Sequence, residues 1–245
     1  MLKSVFVDNI ITGCKSSSAA LNYFTEANRI MTQAHLPFQA WWFSDRYVEQ
    51  NLPAVGGSTN PSRFLKTLGL IWNREEDTLN VQPPHLLAAD VVAKRDVLKG
   101  NGAFYDPLGF YAPLSTSSKI LIQDICIADL KLDDELSAPH LKRWNEIVDS
   151  INVAVNDQMM SLQRSYFGSK DAVQELHVFC DASRRAYGAV AYLCYKERTA
   201  FVMAKSRITP IKDSQREGER EISIPEAELM AAYLGTLLAT NIIAA

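Results

Sequence analysis

Paired cysteines, clustered histidines and strong charge of either sign are all missing from this sequence. None of the four cysteines belongs to a C-x-x-C pair: Cys14, Cys126, Cys180 and Cys194. The four histidines are equally scattered. These spacings match neither a zinc site nor a disulfide framework, which secreted small domains need. We therefore expect an intracellular protein, cytoplasmic or nuclear.

Long uncharged runs are also scarce. Asp8 and Asn9 interrupt the N-terminal apolar stretch too early for a signal peptide. The uncharged C-terminal run, Leu229–Ala245, is shorter than the ~20 apolar residues that a membrane span requires. We therefore expect a helix that packs in a protein core, and no membrane partner.

The net charge is small. A formal charge of -3 and 47% hydrophobic residues are ordinary for a globular protein and give no sign of a strongly basic nucleic-acid binder. Residues 164–220 contain 11 Lys and Arg against 7 Asp and Glu. A solvated surface explains this local excess more simply than a binding site does.

The first third of the chain alternates between hairpins and a helix. Val5–Ile11 predicts a hairpin around a polar pair, because Asp and Asn tolerate turn geometry. Ser16 and the residues after it predict a helix that ends before Pro37. A second hairpin is predicted with strands over Phe64–Trp72 and Thr78–Val81.

The middle of the chain is predicted to be mainly helical. Helices are expected over Leu87–Leu98 and Ser117–Leu130, and a third places Trp144 in the core. The acidic triplet Asp133–Glu135 could suggest a metal cluster. We interpret it instead as the approach to a helix N-terminus, where acidic side chains are favoured.

From residue 176 the apolar residues follow the period of strands. Three strands are predicted over Leu176–Cys180, Tyr187–Tyr195 and Thr199–Ala204, and a helix is predicted from Pro225 onwards. This order of elements forms the first half of an α+β layer.

Two acidic residues stand at the ends of these elements. Asp181 closes the first strand, and Glu228 lies near the start of the helix. Strand pairing can bring the two carboxylates within a few ångströms, where Mg²⁺ or Mn²⁺ would relieve their repulsion. Two-metal nucleases of the ribonuclease H type begin with this arrangement, but they need a third and usually a fourth carboxylate.

A series of short stretches follows in a characteristic order. They are Leu68–Trp72, Lys94–Leu98, Tyr105–Pro113, Val178–Ser183, Ala186–Val190, Ala204–Arg207 and Ile224–Ala232. Each stretch alone is unspecific. In this order and with these spacings, they resemble the Pol polyprotein of BEL/Pao long-terminal-repeat retrotransposons.

The resemblance implies an α+β chain in three parts. Residues 1–60 would be the C-terminal part of a reverse transcriptase palm, and residues 61–165 a mainly helical thumb and connection region. Residues 166–245 would be the N-terminal half of a ribonuclease H-like domain, a truncated three-stranded sheet with one helix. Other Pol segments, which would be its partners, are expected to lie outside this chain.

The resemblance also implies catalytic roles. Asp8 matches a metal-binding aspartate of the palm, although Asn9 stands where the family has a second aspartate. Asp181 and Glu228 match the first two acids that bind Mg²⁺ or Mn²⁺ in the ribonuclease H-like domain, and the next aspartate is expected beyond Ala245. Glu226 replaces an arginine of the family motif. We therefore expect the chain alone to be catalytically incomplete.

Three functions remain open at this point. The resemblance implies an ancestral role in reverse transcription and in degradation of RNA in RNA:DNA hybrids. A second possibility is nucleic-acid binding without cleavage, through Arg184, Arg185, Lys205 and Arg207. A third is a structural or interaction protein recruited by a host.

The family region is also known as a Pao retrotransposon peptidase, which suggests aspartic peptidase chemistry. Such a peptidase needs Asp-Thr-Gly or Asp-Ser-Gly, because two carboxylates must share a proton across a dimer. No aspartate in this sequence is followed by Ser or Thr and then Gly. The label therefore has no matching site residues.

Overall fold

The computed structural model divides the chain into two compact units. The first unit is Met1–Leu65 with Trp72–Asp77, and the second is Lys66–Ile71 with Thr78–Ala245. The structure describes residues 5–6, 9–53, 58–59, 62–81, 84, 86, 88–156, 161–167, 175–210 and 222–244. Asp8 therefore lies outside the described residues. The predicted boundaries after residues 60 and 165 stay predictions.

The first unit contains the predicted N-terminal hairpin and helix. Its elements are β1 (Val5–Phe6), β2 (Asn9–Ile10), α1 (Ser17–Gln33), β3 (Ala40–Trp41), α2 (Arg46–Gln50) and β4 (Ser58–Thr59). Strands β1 and β2 pair antiparallel, and β3 and β4 pair parallel. Ser16 caps α1, because its Oγ accepts a hydrogen bond of 3.2 Å from the backbone N–H of Ala19.

The second predicted hairpin has one more strand than the sequence suggested. Its strands are β5 (Phe64–Thr67), β6 (Leu70–Asn73) and β7 (Thr78–Asn80). The prediction of one strand over Phe64–Trp72 was wrong, because the backbone turns at Leu68 and Gly69 with φ values of +48° and +79°. Glycine adopts such a φ without strain, so a single Gly within an apolar run was enough for the turn.

Three helices form the main core of the second unit. They are α3 (Lys94–Gly102), α4 (Ala112–Ile127) and α5 (Ala138–Asn156), and α5 is followed by β8 (Ser161–Gln163), which pairs with β7 in a sheet of order β5-β6-β7-β8. The prediction that Trp144 is a core residue is confirmed, since it is buried with Val97, Leu121 and Ile151.

The predicted start of α3 was wrong. Residues 88–92 are not helical, and α3 begins after Ala93. The Asp96 carboxylate accepts a 3.0 Å hydrogen bond from the Ala93 backbone N–H and so fixes the start of the helix. Of the acidic triplet, Asp133 forms an ion pair of 2.7 Å with Arg95. A hydrogen bond from Arg95 lowers the pKa of Asp133.

The C-terminal layer confirms the three predicted strands and the helix. The strands are β9 (Glu175–Ala182), β10 (Ala186–Tyr195) and β11 (Arg198–Ile208), and the helix is α6 (Ile224–Ala244). The strands form an antiparallel sheet of order β11-β10-β9. Strands β9 and β11 extend beyond the predicted bounds through polar residues such as Asp181 and Lys205, and β10 extends only by Ala186.

Helix α6 covers one face of this sheet. Its buried residues Ala231, Leu234 and Leu238 pack with Ala189 and Ala191 of β10. Gly235 lies so close to β9 that an added Cβ would collide with the Cys180 Sγ. Helix α6 is also long and apolar enough for a membrane span by length and composition alone. One side of α6 packs on the sheet, and 28% of its apolar window is buried.

The turn before α4 contacts the outer edge of β11, and α4 itself contacts β11 from the side opposite α6. The backbone N–H of Ala204 donates a 2.8 Å hydrogen bond to the Leu108 carbonyl. The hydroxyls of Thr116 in α4 and Ser206 in β11 are 2.6 Å apart. The sheet is therefore held between α6 and the helical core.

Gly109 is the position at which a side chain would disturb this packing most directly. We expect Gly109→Ala to lower the free energy of unfolding by about 1–3 kcal/mol, since the residue has φ +72° and its Cβ would meet the Ala204 carbonyl. Gly102→Ala is the matched control, because no atom lies within 4 Å of its added Cβ. Urea unfolding of both variants measures the difference, and equal stabilities would contradict the packing described here.

Candidate functional site

Asp181 lies at the end of β9 and is exposed. Its Oδ1 accepts a 2.9 Å hydrogen bond from the backbone N–H of Ala182. Asp181 is opposite Gly188 on β10, and Gly188 is opposite Ser206 on β11. Because Gly188 has no side chain, nothing on β10 covers the Asp181 carboxylate at this cross-strand position.

Glu228 is an exposed residue in the second turn of α6. Its neighbour Glu226, which stands where the resemblance implies an arginine, has a structural role. The Glu226 Oε2 accepts hydrogen bonds from the Ser223 backbone N–H at 2.9 Å and from the Ser223 hydroxyl at 2.8 Å. These bonds satisfy a donor that the start of the helix would otherwise leave unpaired.

The contact of α6 with β9 shows where Asp181 and Glu228 lie relative to each other. Cys180 faces Gly235 of α6, and side chains alternate along a strand, so the Asp181 side chain starts on the face opposite α6. Glu228 precedes Gly235 by seven residues, which is about 10 Å along a helix axis. The structure gives no contact between the two carboxylates, and their meeting at one metal ion stays a prediction.

The donor set for a metal is small. In the part of the chain that the structure describes, no three or more His, Cys, Asp and Glu side chains form a group that could hold a metal ion. Mg²⁺ prefers six oxygen ligands in near-octahedral geometry, and a two-metal site uses several bridging carboxylates. Asp181 and Glu228 by themselves do not meet that requirement.

Arg184 and Arg185 form the turn between β9 and β10, and they differ in their surroundings. Arg184 is exposed. Arg185 donates from Nη2 to the Asp124 Oδ1 at 2.5 Å and to the Gln123 Oε1 at 3.4 Å. Asp124 also accepts a 2.6 Å hydrogen bond from Arg143 of α5. Arg185 therefore connects the turn to the helical core.

Lys205 and Arg207 lie on the edge strand β11. They are opposite Ala189 and Tyr187, which are buried in the cluster beneath α6. Both basic side chains therefore start on the α6 face of the sheet, and both residues are exposed.

The predicted site residues in and next to the sheet lie at the same end of the sheet but on different faces. Arg207, Tyr187 and Ala182 form the cross-strand row next to the row of Asp181. The sequence did not predict the roles of Gln123 and Asp124. The apolar periodicity of α4 predicts a helix, but it does not indicate that these two polar side chains bind residues next to the sheet.

The comparisons with known proteins agree with this architecture. A family model described as Pao retrotransposon-like RNaseH-like domain matches residues 93–245, which is more than half of the chain. No curated protein matches the chain. The matched range includes Asp181 and Glu228 but not residues 1–92, so the reverse transcriptase palm stays a prediction. Since the match covers the helical core together with the sheet and α6, the chain belongs to the family of Pao retrotransposon-like RNaseH-like domains.

Proposed function

We propose that the chain is a segment of a retrotransposon Pol polyprotein whose RNaseH-like domain binds RNA:DNA hybrids without cleaving them by itself. The observation that carries this proposal is the arrangement at one end of the sheet. Exposed Arg184 lies there in the turn that follows Asp181, and exposed Arg207 lies two strands away from Asp181, on β11 at the same end of the sheet. The role in reverse transcription belongs to the same proposal and rests on the resemblance of residues 5–11 to a palm hairpin.

Binding is supported by the charges at this end of the sheet. A guanidinium group contacts phosphate oxygens through two parallel N–H donors, and such contacts supply most of the affinity for a nucleic-acid backbone. Arg184 projects from a turn, where the bulk of neighbouring strands does not block a duplex. Lys205 adds a second cation on β11, close to Arg207.

The absence of cleavage is supported by the donor set. Hydrolysis by two metal ions requires both ions in line with the attacking and leaving oxygens. Two exposed carboxylates that start on different faces supply too few ligands for that alignment. We propose that any Mg²⁺ or Mn²⁺ bound at Asp181 or Glu228 is held weakly. An aspartic peptidase is not favoured, since the sequence has no Asp-Thr-Gly or Asp-Ser-Gly.

The first test concerns Arg184. We expect Arg184→Ala to weaken binding to an RNA:DNA hybrid and to reduce the slope of log affinity against log salt by about 1, because one phosphate contact is lost. Fluorescence anisotropy over a range of salt concentrations measures both quantities. Arg198→Ala at the opposite end of the same sheet is the control and should change neither. Equal losses for the two variants would exclude a site at the β9–β10 turn.

The second test separates Arg185 from Arg184. We expect Arg185→Ala to weaken hybrid binding and also to lower the unfolding temperature, because Asp124 loses one of its two cationic partners. Arg184→Ala should leave the unfolding temperature unchanged. Thermal unfolding followed by circular dichroism measures the difference, and an unchanged temperature for Arg185→Ala would refute the structural role of this ion pair.

The third test concerns catalysis. We expect no cleavage of the RNA strand of a hybrid by this chain at millimolar Mg²⁺ or Mn²⁺, since the described carboxylates do not make a two-metal site. Gel analysis of end-labelled RNA is the measurement. Metal-dependent cleavage that disappears in Asp181→Asn would overturn the non-catalytic assignment, while binding could still be judged from the anisotropy data.

A further inference from the structure

Helices α4 and α5 form the walls of an open groove of about 190 Å³ in the helical core. Its lining combines two apolar side chains with two hydroxyls and two charged groups: Leu114, Ser117, Arg143, Glu146, Ile147 and Ser150. Sites for drug-sized ligands have volumes of about 300–1,000 Å³. The groove is therefore too small for a large cofactor, but it can admit a single phosphate group.

The groove adjoins the turn that carries Arg184. Arg143 donates a 2.6 Å hydrogen bond to one oxygen of Asp124, and Arg185 of the turn donates to the other oxygen. Among the described residues, only Asp124 accepts a hydrogen bond from Arg143, whose side chain is 39% exposed. A guanidinium group has five N–H donors, so Arg143 can also donate to an anion in the groove.

Positive charge exceeds negative charge along the path from the turn to the groove. Lys142 belongs to this path, since its Nζ is 4.0 Å from the Glu146 Oε1. The path has four cations and two carboxylates: Arg184, Arg185, Arg143 and Lys142 against Asp124 and Glu146. Such a surface attracts a polyanion more than an isolated anion, because several cations act on neighbouring charges together.

We propose that this groove holds a phosphate of the RNA:DNA hybrid, so that the hybrid contacts α4 and α5 as well as the β9–β10 turn. This inference rests on the proposed function. Arg143 supplies the charge, and the hydroxyls of Ser117 and Ser150 supply further donors. Each hydroxyl donates to a backbone carbonyl of its own helix, at 3.2 and 2.8 Å, and a side-chain rotation exchanges that bond for one to a phosphate oxygen.

The size and lining of the groove suit the backbone of a nucleic acid rather than its bases. Arg143 and Ser150 are seven residues apart on α5, which is about 10 Å along the helix axis. Phosphates of one strand recur about every 3.4 Å along the axis of a duplex, so this length corresponds to about three nucleotides. The six lining residues include no aromatic ring and no amide, the groups that stack on bases or read their edges.

Glu146 is the lining residue that opposes an anion, and its removal gives a test by gain of affinity. We expect Glu146→Gln to raise the affinity for a hybrid at least about threefold at low salt, because a carboxylate beside the phosphate is lost and Lys142 loses its partner. Ser150→Glu should lower the affinity by a similar factor. Glu197→Gln is the matched control, since it removes an exposed carboxylate at the opposite end of the sheet.

Fluorescence anisotropy of the full chain measures these affinities, and Arg184→Ala separates the two proposals. If Arg184→Ala weakens binding while Glu146→Gln behaves like Glu197→Gln, the groove proposal fails and the site at the turn stands. If the chain binds no hybrid at low salt, both proposals fail. Circular dichroism confirms that Ser150→Glu is folded, and Glu146→Gln decides the matter if it is not.

Inorganic phosphate, compared with chloride at equal ionic strength, identifies the occupant of the groove. We expect the gain of Glu146→Gln to be the same in both salts, because a single ion lacks the neighbouring contact at Arg184 that holds the hybrid. A gain that disappears in phosphate alone would assign the groove to a free phosphate ion and overturn the proposal.

Discussion

The carboxylate of Asp124 is the point at which the helices and the sheet of the second unit meet. It accepts hydrogen bonds from Arg143 of α5 and Arg185 of the β9–β10 turn, and its side chain is only 20% exposed. If one of the two arginines were removed, the Asp124 carboxylate would still be partly shielded from water but would lose part of the electrostatic attraction that offsets this desolvation. The adjacent Gln123 donates a buried 2.7 Å hydrogen bond to the Thr209 carbonyl. These two consecutive residues of α4 therefore bind Arg185, just before β10, and Thr209, just after β11.

This connection has consequences for the candidate site. The turn that carries Arg184 is held by the ion pair of its neighbour Arg185 with Asp124, so the position of Arg184, which we propose binds phosphate, depends on that ion pair. The edge strand β11 is also connected to α4, through a hydrogen bond between the hydroxyls of Thr116 and Ser206. The matched family range begins before α3 and ends after α6. The matched range thus contains both the helical core and the sheet, and the candidate site at the end of the sheet depends on contacts with both.

The sequence predicted the parts of this fold that depend on local periodicity. The apolar residues repeat with the period of a strand or of a helix in these elements, and so predicted strands β9, β10 and β11 and helix α6. The turn at Leu68 and Gly69 was missed because a backbone conformation with positive φ leaves the apolar pattern intact. The start of α3 was missed because apolar residues before Ala93 have the spacing of a helix, although residues 88–92 are not helical. The Asp124 ion pairs depend on residues about 20 and 60 positions away, which no local pattern contains.

Glu226, which stands where the resemblance implies an arginine, affects the electrostatics of the candidate site in a definite direction. An acidic side chain at the third position of a helix is stabilised by the backbone N–H groups and by the positive end of the helix dipole. An arginine there would lose that stabilisation but could contact a phosphate. With Glu226, the start of α6 carries two carboxylates and becomes less attractive to a polyanion. The binding of nucleic acid that we propose at this end of the sheet would then depend on the basic residues of the β9–β10 turn and of β11. Because Arg185 is already bonded to Asp124, the larger share falls to Arg184, Lys205 and Arg207.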